Sequence, residues 1–265
     1  MQNKSTIGVI GAGMVGGATI RYFESIKSPV VVYDPFKGFT DKTVLEQADF
    51  IFICVPTPYE EASGGFSLTY VRDALSITPH GKIVVIKSTV LPGSTEALQK
   101  EYPEVKILFN PEFLTEESAD QDMRFPDRQV IGYTKESYGV SADLMLLLPL
   151  APFGRIMPAT EAEMVKYYAN TWFSTKVVFA NQMYDVCEKM GINYDTVKES
   201  AAADKRIGRS HLDIFHKGAR GYGGKCLPKD TRAMIQLGER IGAPQDLLKA
   251  VEQINNKLTE DGTKK

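Results

Sequence analysis

A glycine-rich turn between a strand and a helix is the feature that most restricts the fold of this 265-residue chain. Residues 5–10 form an apolar run typical of a short strand, and residues 11–16 (GAGMVG) follow it directly. A helical pattern covers residues 14–26, and a second apolar run, residues 29–33, ends at Asp34. Strand, glycine turn, helix, strand and acid in this order are typical of dinucleotide-binding proteins.

The glycines and the acid have separate roles in this pattern. Gly11 permits the turn, Gly13 lets backbone N–H groups reach a pyrophosphate, and Gly16 brings the helix close to the strand. The N-terminus of the helix adds a partial positive charge that favours a phosphate. Asp34 is placed to accept hydrogen bonds from a ribose diol and would repel a 2′-phosphate, so we expect NAD rather than NADP. The alternative is a glycine-rich turn that binds no ligand.

Apolar runs and helical patterns alternate up to about residue 157. Residues 49–56 (DFIFICVP) suit a central parallel strand buried on both faces, and Thr57 and Pro58 turn the chain at its carboxyl end. More strands are expected at residues 82–86, 105–109 and 126–132, with helices at 68–77 and 93–100. This alternation predicts an α/β fold, a Rossmann-type doubly wound parallel sheet, as an NAD-binding domain over residues 1–157.

The pattern becomes helical beyond Pro158, and we expect an all-helical domain over residues 158–265. Residues 160–190 predict one long helix, opened by a capping box of Thr160 and Glu163. Lys166 and Asn170 are four residues apart on this helix and therefore share one face. Shorter helices are expected at residues 195–203, 231–241 and 245–258.

A segment at residues 220–231 (RGYGGKCLPKDT) places one cysteine among glycines and cations. Cys226 lies between Lys225 and Lys229, and Asp230 follows four residues after it. Glycines let a backbone approach a ligand closely, and flanking ammonium groups favour the thiolate, which is the nucleophilic form of cysteine. We interpret Cys226 as a nucleophile, and the alternative is a tight turn with an inert buried cysteine.

Composition excludes several classes of function. The formal net charge of −2 gives no field that would gather nucleic acid or an anionic membrane, and no apolar run is long enough to span a bilayer. Three widely spaced cysteines make no disulfide framework, so we expect a reducing, cytoplasmic location. Cys54 and Cys187 are interpreted as packed thiols. The three histidines show no metal-ligand spacing, so no metal site is expected.

Several motifs, taken together and in order, carry a resemblance to a known family. They are GAGMVG at 11–16, ICVPTP at 53–58, KST at 87–89, NPEFL at 110–114, PDRQVIG at 126–132, the Lys166 and Asn170 pair, DKRIG at 204–208 and GYGGKCLPKDT at 221–231. From Ser5 to about Leu258 the chain resembles the UDP-glucose 6-dehydrogenase family, within the UDP-glucose/GDP-mannose dehydrogenases. The resemblance implies an NAD-dependent, two-step oxidation of a nucleotide-sugar C6 alcohol to a carboxylate, with a helical domain that forms a homodimer. UDP-hexose is the substrate class that we expect.

The resemblance also implies covalent catalysis. Cys226 would attack the C6 aldehyde to give a thiohemiacetal, and a second hydride transfer would give a thioester that water hydrolyses. Lys166 would stabilise the oxyanion that develops at C6, with Asn170 donating beside it. Asp230 would order a water or transfer a proton together with Thr89. Glu112 would be the general base of the hydrolysis.

Binding roles follow from the same resemblance. The expected cofactor-binding residues are Gly11, Gly13, Met14, Val15, Gly16, Asp34, Val55, Pro56, Thr57, Thr89 and Glu116. The expected substrate-binding residues are Phe113, Leu114, Lys166, Arg206, Tyr222 and Gly223, of which Arg206 matches an arginine that reaches substrate in a neighbouring subunit.

Structural alternatives exist for most of these residues. Lys166 could form a helix-surface pair with Glu163, and Asn170 could cap or pack. Glu112 could be a carboxylate stabilised at a helix start. Thr89 could cap a strand end, and Arg206 could be a solvated surface charge. The joint presence of these residues with the cysteine favours the catalytic interpretation, because one covalent mechanism uses them all.

The chain also departs from the family pattern in three places. The resemblance stops near residue 258, so we expect the family's C-terminal nucleotide-holding domain to be missing. The loop before Cys226 looks longer than usual and lacks an asparagine-proline pair, and the segment after Asp34 is short.

Two other functions therefore stay open. One is a β-hydroxyacid-type dehydrogenase, which shares the Rossmann domain and the Lys/Asn pair but needs no thiol nucleophile. The other is a non-catalytic NAD-binding module that a partner chain completes.

Overall fold

A computed structural model describes residues 4–60, 65–216, 218–224 and 226–262. The chain divides into two compact units, the first ending at Lys166 and the second beginning at Tyr167.

A seven-stranded sheet forms the centre of the first unit. Its strands are β1 (Ile7–Ile10), β2 (Val30–Tyr33), β3 (Phe50–Ile53), β6 (Ile83–Ile86), β7 (Lys106–Phe109), β8 (Arg128–Tyr133) and β9 (Phe153–Pro158), and a separate hairpin pairs β4 (Tyr59–Glu60) with β5 (Gly65–Phe66). The order across the sheet is β2-β1-β3-β6-β7-β8-β9. The first five strands in this order, β2-β1-β3-β6-β7, each run parallel to their neighbours, so their carboxyl ends meet at one edge of the sheet.

The far side of the sheet differs from the purely parallel arrangement that the sequence predicts. β8 runs antiparallel to β7, and β9 then pairs parallel to β8. β9 was not predicted, because its residues FGRIMP are largely exposed and form no apolar run. The sheet is therefore mostly parallel, and its Rossmann-type fold is confirmed.

Helices cover both faces of this sheet. They are α1 (Met14–Ser25), α2 (Thr69–Ser76), α3 (Ser94–Glu101), α4 (Ala119–Arg124) and α5 (Ser141–Leu147). Two apolar clusters lie between helices and strands, one containing Ile53, Leu98 and Phe109 and the other containing Phe23 and Phe52. α4 and α5 span fewer than two full turns each, too short for the periodicity of a sequence to reveal.

The long helix α6 (Ala159–Met190) begins within the first unit. Ala162 is fully buried in the cluster that contains Ile53, and Val165 packs against the same cluster. These contacts assign the first eight residues of α6 to the unit of the sheet, whereas the sequence predicts a domain boundary at 157/158. The predicted capping box is wrong, because the carboxylate of Glu163 binds the N-terminus of α3 instead of its own helix.

The second unit contains the rest of α6 together with α7 (Tyr194–Ala202), α8 (Leu227–Arg240) and α9 (Asp246–Gly262). Its core includes Val177, Val178, Tyr222 and Val251. α8 begins four residues earlier than the sequence predicts, directly after Cys226. Proline is favoured in the first turn of a helix, and Pro228 occupies such a position here. Among the described residues, no helix combines the length and apolarity needed to cross a membrane.

Candidate functional site

The glycine turn after β1 has the geometry that a dinucleotide needs. Gly11 has φ of +87°, and a Cβ there would lie 2.8 Å from the carbonyl oxygen of Cys54. At Gly16 a Cβ would lie only 1.8 Å from the carbonyl oxygen of Gly11. At Gly13, by contrast, a Cβ would meet no atom within 4 Å. The turn therefore requires the first and third glycines for packing, and the second leaves room for a ligand at the N-terminus of α1.

Asp34 directly follows β2 and is hydrogen-bonded to this turn. Its Oδ2 accepts from the backbone N–H of Ala12 at 2.7 Å, and its Oδ1 accepts from the N–H of Phe36 at 3.1 Å. Lys37 donates to the carbonyl oxygen of Ala12 at 2.5 Å, a contact that the sequence reasoning missed. These bonds hold the carboxylate beside the glycine turn. Met14 is partly exposed and Val15 half-buried at the start of the following helix.

The ends of β3 and β6 are joined by side-chain hydrogen bonds. Thr57 donates from Oγ1 to the carbonyl oxygen of Thr89 at 2.7 Å, and Ser88 donates from Oγ to the carbonyl oxygen of Val55 at 2.7 Å. Pro56 lies between Val55 and Thr57 in the chain and is exposed. The structure thus brings the predicted cofactor residues of these two strands together at the carboxyl edge of the sheet.

Glu112 and Lys166 form a buried ion pair in the first unit. Nζ of Lys166 lies 2.7 Å from Oε1 of Glu112 and donates to the carbonyl oxygen of Glu112 at 2.8 Å, and the two side chains are 6% and 8% exposed. Burial raises the pKa of Glu112, but the ammonium of Lys166 and the N–H of Leu114 outweigh burial and hold the pKa below its ordinary value. The surface pair of Lys166 with Glu163 is therefore not formed.

A second buried lysine lies beside this pair. Lys87 follows β6 directly and donates from Nζ to Oδ1 of Asn110 at 2.6 Å, and Asn110 donates in turn to the carbonyl oxygen of Val130. Burial lowers the pKa of Lys87, and Glu112 opposes that shift. The sequence reasoning gave Lys87 and Asn110 no role. A lysine placed directly after a buried apolar strand was the signal that could have found it.

The residues after Glu112 extend from the same strand end. The guanidinium of Arg128 lies 3.8 Å from the ring centroid of Phe113, and Nζ of Lys166 lies 5.9 Å from that centroid. Leu114 is half-buried, and Glu116 is exposed. Phe113 thus contacts Arg128 of β8 and Lys166 of α6. The contact of Glu116 with a cofactor stays a prediction.

Asn170 and Asp230 form the corresponding pair of the second unit. Nδ2 of Asn170 donates to Oδ2 of Asp230 at 2.5 Å, joining α6 to the first turn of α8. Asp230 is 1% exposed, and its Oδ1 accepts no hydrogen bond from the described residues. Nζ of Lys229 lies 3.4 Å from that oxygen. A buried carboxylate oxygen that lacks a hydrogen-bond donor is suited to bind a water or a substrate hydroxyl.

Cys226 stands at the N-terminus of α8 and is exposed. The helix has no side-chain cap there, and its partial positive charge favours an anion. Gly221 and Gly224 have φ of +76° and +72°, so the glycines before the cysteine serve the backbone conformation. Lys225, one of the two cations predicted beside the thiol, lies outside the described residues.

The other cysteines differ from Cys226. Cys54 and Cys187 are buried, which confirms their interpretation as packed thiols. Burial raises the pKa of Cys54 to about 12. A neutral thiol in the core is not a nucleophile.

The predicted substrate-binding residues of the second unit differ in how far they are exposed to solvent. Tyr222 is 5% exposed and packs with Val177 and Val251 in the core, and burial raises its pKa to about 12. Gly223 has open space around its Cα. Arg206 is exposed and paired with Asp204. Within a single chain, Arg206 therefore matches the surface-charge alternative, and its role toward a neighbouring subunit stays a prediction.

The residues of the first unit fit NAD. The open space at Gly13, the uncapped N-terminus of α1 and the carboxylate of Asp34 match the groups that bind a pyrophosphate and a ribose. Fold and glycine turn together define a dinucleotide-binding protein of the Rossmann class.

Comparison with known proteins gives the family. Residues 35–145 match the NAD binding domain of the UDP-glucose/GDP-mannose dehydrogenase family, and residues 160–257 match the central domain of that family. A solved UDP-glucose dehydrogenase from the hyperthermophilic archaeon Pyrobaculum islandicum superposes with a TM-score of 0.84 at 30% identity, covering 96% of this chain and 68% of that one. The chain belongs to the UDP-glucose/GDP-mannose dehydrogenase family, and the predictions of family and of NAD as cofactor are confirmed.

Two curated relatives from Bacillus subtilis (strain 168) show how much of a whole enzyme is present. The UDP-glucose 6-dehydrogenase YwqF is 36% identical over 226 residues, which cover 80% of this chain and 49% of that protein. The UDP-glucose 6-dehydrogenase TuaD is 33% identical over 298 aligned residues, which cover 95% of this chain and 63% of that protein. The chain thus spans about half to two thirds of the length of these relatives.

Proposed function

We propose that this chain catalyses the NAD-dependent oxidation of a nucleotide-sugar C6 alcohol to the carboxylate, through a covalent intermediate on Cys226. The observation that carries the proposal is the pairing of four predicted catalytic residues. Lys166 binds Glu112 in the first unit, and Asn170 binds Asp230 in the second. Each pair joins residues more than fifty positions apart and is buried. Polar side chains buried in this way require a reason, and catalysis supplies one.

The first half of the reaction needs a base and a hydride acceptor. NAD supplies the acceptor when bound, taking one hydride from C6 in each of two steps. The C6 hydroxyl loses its proton as the carbonyl forms, and Asp230 would accept that proton through an ordered water at its Oδ1. Lys166 provides a fixed ammonium for the negative charge that develops on the oxygen, and burial makes that charge stabilisation stronger than it would be in water.

The second half needs a nucleophile and a water. The Cys226 thiolate adds to the aldehyde carbon to give a thiohemiacetal, whose loss of a hydride and a proton leaves a thioester. Water then adds to the thioester carbonyl, the carbon–sulfur bond breaks, and the thiolate leaves. Glu112 has a pKa held below its ordinary range, so it is ionised near neutral pH and can accept the proton of that water.

The substrate is proposed from the relatives. The two Bacillus subtilis relatives, YwqF and TuaD, are named UDP-glucose 6-dehydrogenases. UDP-glucose is therefore the first substrate to test, and other UDP- and GDP-hexoses follow. The exposed Cys226 suits a nucleophile that must reach a sugar.

NADH formation tests this function directly. Purified protein is incubated with NAD and each sugar nucleotide, and NADH and sugar acid are quantified together. Two NADH for each acid formed would support the proposal. Absence of NADH with every UDP- and GDP-hexose would contradict it.

The Cys226→Ser variant separates the proposal from its alternatives. We expect it to bind NAD as the unchanged protein does and to form no acid. A β-hydroxyacid-type dehydrogenase would keep its activity in this variant, since its chemistry needs no thiol. A non-catalytic module would bind NAD without turnover before any substitution was made.

We also propose that the chain forms a homodimer through α6. Large apolar side chains are exposed at helical spacing along the part of α6 in the second unit: Tyr168, Trp172, Phe179, Met183, Val186 and Met190. Steps of three, four and seven residues place them in one stripe, here named the α6 stripe. A stripe of this length matches the seam of two packed helices, and a second copy of the chain is its expected occupant. We propose separately that the protein works in a reducing, cytoplasmic compartment, because its three cysteines are widely spaced and form no disulfide framework.

A further inference from the structure

Glu163 is a buried carboxylate that the proposed mechanism does not use. It lies on the first part of α6, three residues before Lys166, and its side chain is fully buried. Its Oε2 accepts from the backbone N–H of Gly93 at 2.6 Å. Its Oε1 accepts from the backbone N–H of Thr95 at 2.8 Å and from Oγ1 of Thr95 at 2.6 Å. Three donors therefore converge on one carboxylate.

These donors belong to the start of α3. Gly93 is the N-cap residue of that helix, has φ of +92° and offers no side chain of its own. The first N–H groups of a helix have no partner within it, and the dipole favours negative charge there. Glu163 thus caps α3 from another helix, in the place that a serine or aspartate side chain usually takes.

The cap fixes the end of a segment that carries predicted site residues. Residues 87–93 connect β6 to α3 and are called the β6–α3 segment here. At one end of it Lys87 is bound to Asn110, and in its middle the carbonyl oxygen of Thr89 accepts from Thr57. Glu163 binds the other end to α6, one turn from Lys166. Without Glu163, the hydrogen bonds that hold Gly93 and Thr95 to α6 would be lost.

We propose that Glu163 is a positioning residue, which fixes the β6–α3 segment against α6 and so holds Thr89 where it contacts the cofactor. The cofactor half of this inference rests on the proposed function. The capping half rests on the hydrogen bonds alone.

Burial also gives the cap a dependence on pH. The pKa of Glu163 is raised to about 7, chiefly by burial and also by the negative charge of Glu96 on α3, while the three hydrogen bonds oppose the rise. The ionised form accepts from all three donors. Protonation would place an O–H against one of them, so the cap weakens as the pH falls below about 7.

Hydrogen exchange and NAD affinity test the inference in one set of variants. Glu163→Gln keeps the shape of the side chain but places an NH₂ group against N–H donors. Glu161→Gln is the matched control, because Glu161 carries the same charge on the same helix and is exposed. Exchange is measured at residues 89–95, and NAD affinity is measured at pH 6 and pH 8.

We expect Glu163→Gln to exchange at least tenfold faster at Gly93 and Thr95 and to bind NAD at least fivefold more weakly at pH 8. The unchanged protein should bind NAD more tightly at pH 8 than at pH 6, and Glu163→Gln should lose that difference. Glu161→Gln should match the unchanged protein in every measurement. If Glu163→Gln does not fold, Thr95→Val removes only the hydroxyl donor and should give smaller changes in the same directions.

Each contrary result has a distinct meaning. Unchanged exchange at Gly93 and Thr95 would overturn the cap. Faster exchange with unchanged NAD affinity, or a pH difference that persists in Glu163→Gln, would overturn the positioning role. If the unchanged protein bound no NAD, the proposed function and the cofactor half would fall, while the exchange comparison would still decide the cap.

Discussion

Nζ of Lys166 lies 2.7 Å from Oε1 of Glu112, in a pair that is almost wholly buried. The residue proposed to stabilise an oxyanion is thus bound to the residue proposed as general base. Removing two charges from water is costly, and such a pair repays that cost only when its geometry is good. Because Lys166 also donates to the carbonyl oxygen of Glu112, its position is set by two bonds.

Breaking this pair should destabilise the first unit. We expect Lys166→Met to lower the free energy of unfolding by about 3 kcal/mol, because it leaves the Glu112 carboxylate buried without its counter-charge. The double variant Lys166→Met, Glu112→Gln should lose less than the sum of the two single changes. Urea unfolding measures all three. The exposed pair of Arg72 and Glu101 is the control, where Arg72→Met should cost less than about 1 kcal/mol. Additive losses at Lys166 and Glu112 would contradict the coupling.

Two glycines of the first turn should respond differently to alanine. Gly16→Ala would place a Cβ against the carbonyl oxygen of Gly11, so we expect lower stability and poor folding. Gly13→Ala has open space and a φ of −69°, so its melting temperature should stay within about 2 °C of the unchanged protein, as a change well under 1 kcal/mol implies. Its NAD affinity should nevertheless fall at least tenfold. Equal NAD affinity in Gly13→Ala would show that the pyrophosphate does not approach there.

Alkylation should distinguish the three cysteines. Cys226 is exposed at a helix N-terminus, whereas Cys54 and Cys187 are buried and burial raises the pKa of Cys54 to about 12. We expect iodoacetamide at pH 7.5 to modify Cys226 at least a hundredfold faster than the other two in the folded protein. Peptide mass spectrometry follows each site, and Cys226→Ser is the control. Comparable rates at Cys54 would mean that the first unit opens readily.

The raised pKa of Glu163 predicts how stability depends on pH. Below about 4.5, the ordinary pKa of glutamate, the carboxyl is protonated in both states; above about 7 the folded protein must bury an ionised group that the unfolded chain solvates. This residue therefore makes the free energy of unfolding fall as the pH rises between these values, by about 3 kcal/mol in all. The sign is opposite to the local effect on the cap, because the unfolded state hydrates the carboxylate.

Comparing Glu163→Gln with the unchanged protein isolates this contribution. The difference in unfolding free energy between the two proteins should change between pH 4.5 and pH 7 and stay constant from pH 7.5 to 9. Urea titrations at half-unit pH intervals measure it. A constant difference over the whole range would show that Glu163 has an ordinary pKa.

The proposed homodimer depends on the α6 stripe. Phe179→Asp places a charge in the middle of the stripe and should convert a dimer to monomers at micromolar concentration in sedimentation. Glu188 is exposed on the opposite side of the same helix, about half a turn around from Phe179, so Glu188→Lys should leave the dimer intact. A monomer before any substitution would overturn the proposal.

Sequence patterns predicted the elements that have a strong local signature. The apolar strands β1, β3 and β6 and the long helix α6 stand where their periodicity places them. The sequence did not predict β9, because an exposed edge strand has no apolar run. The sequence predicted the start of α8 too late, because the glycines before Cys226 are typical of a loop. The first turn of that helix is stabilised by Pro228 and by the hydrogen bond of Asp230 with Asn170.

Sequence by itself determined the glycine turn, the acid at Asp34 and the identity of the chemical groups, since these depend on residue type and short spacing. Only the tertiary structure decided which groups meet. Lys166 had Glu163 one turn away on its own helix and nevertheless binds Glu112, and Glu163 binds the N-terminus of α3. The physical reason is burial: once both side chains leave water, each must find its partner among the groups that folding brings near, and spacing along the chain does not reveal those groups.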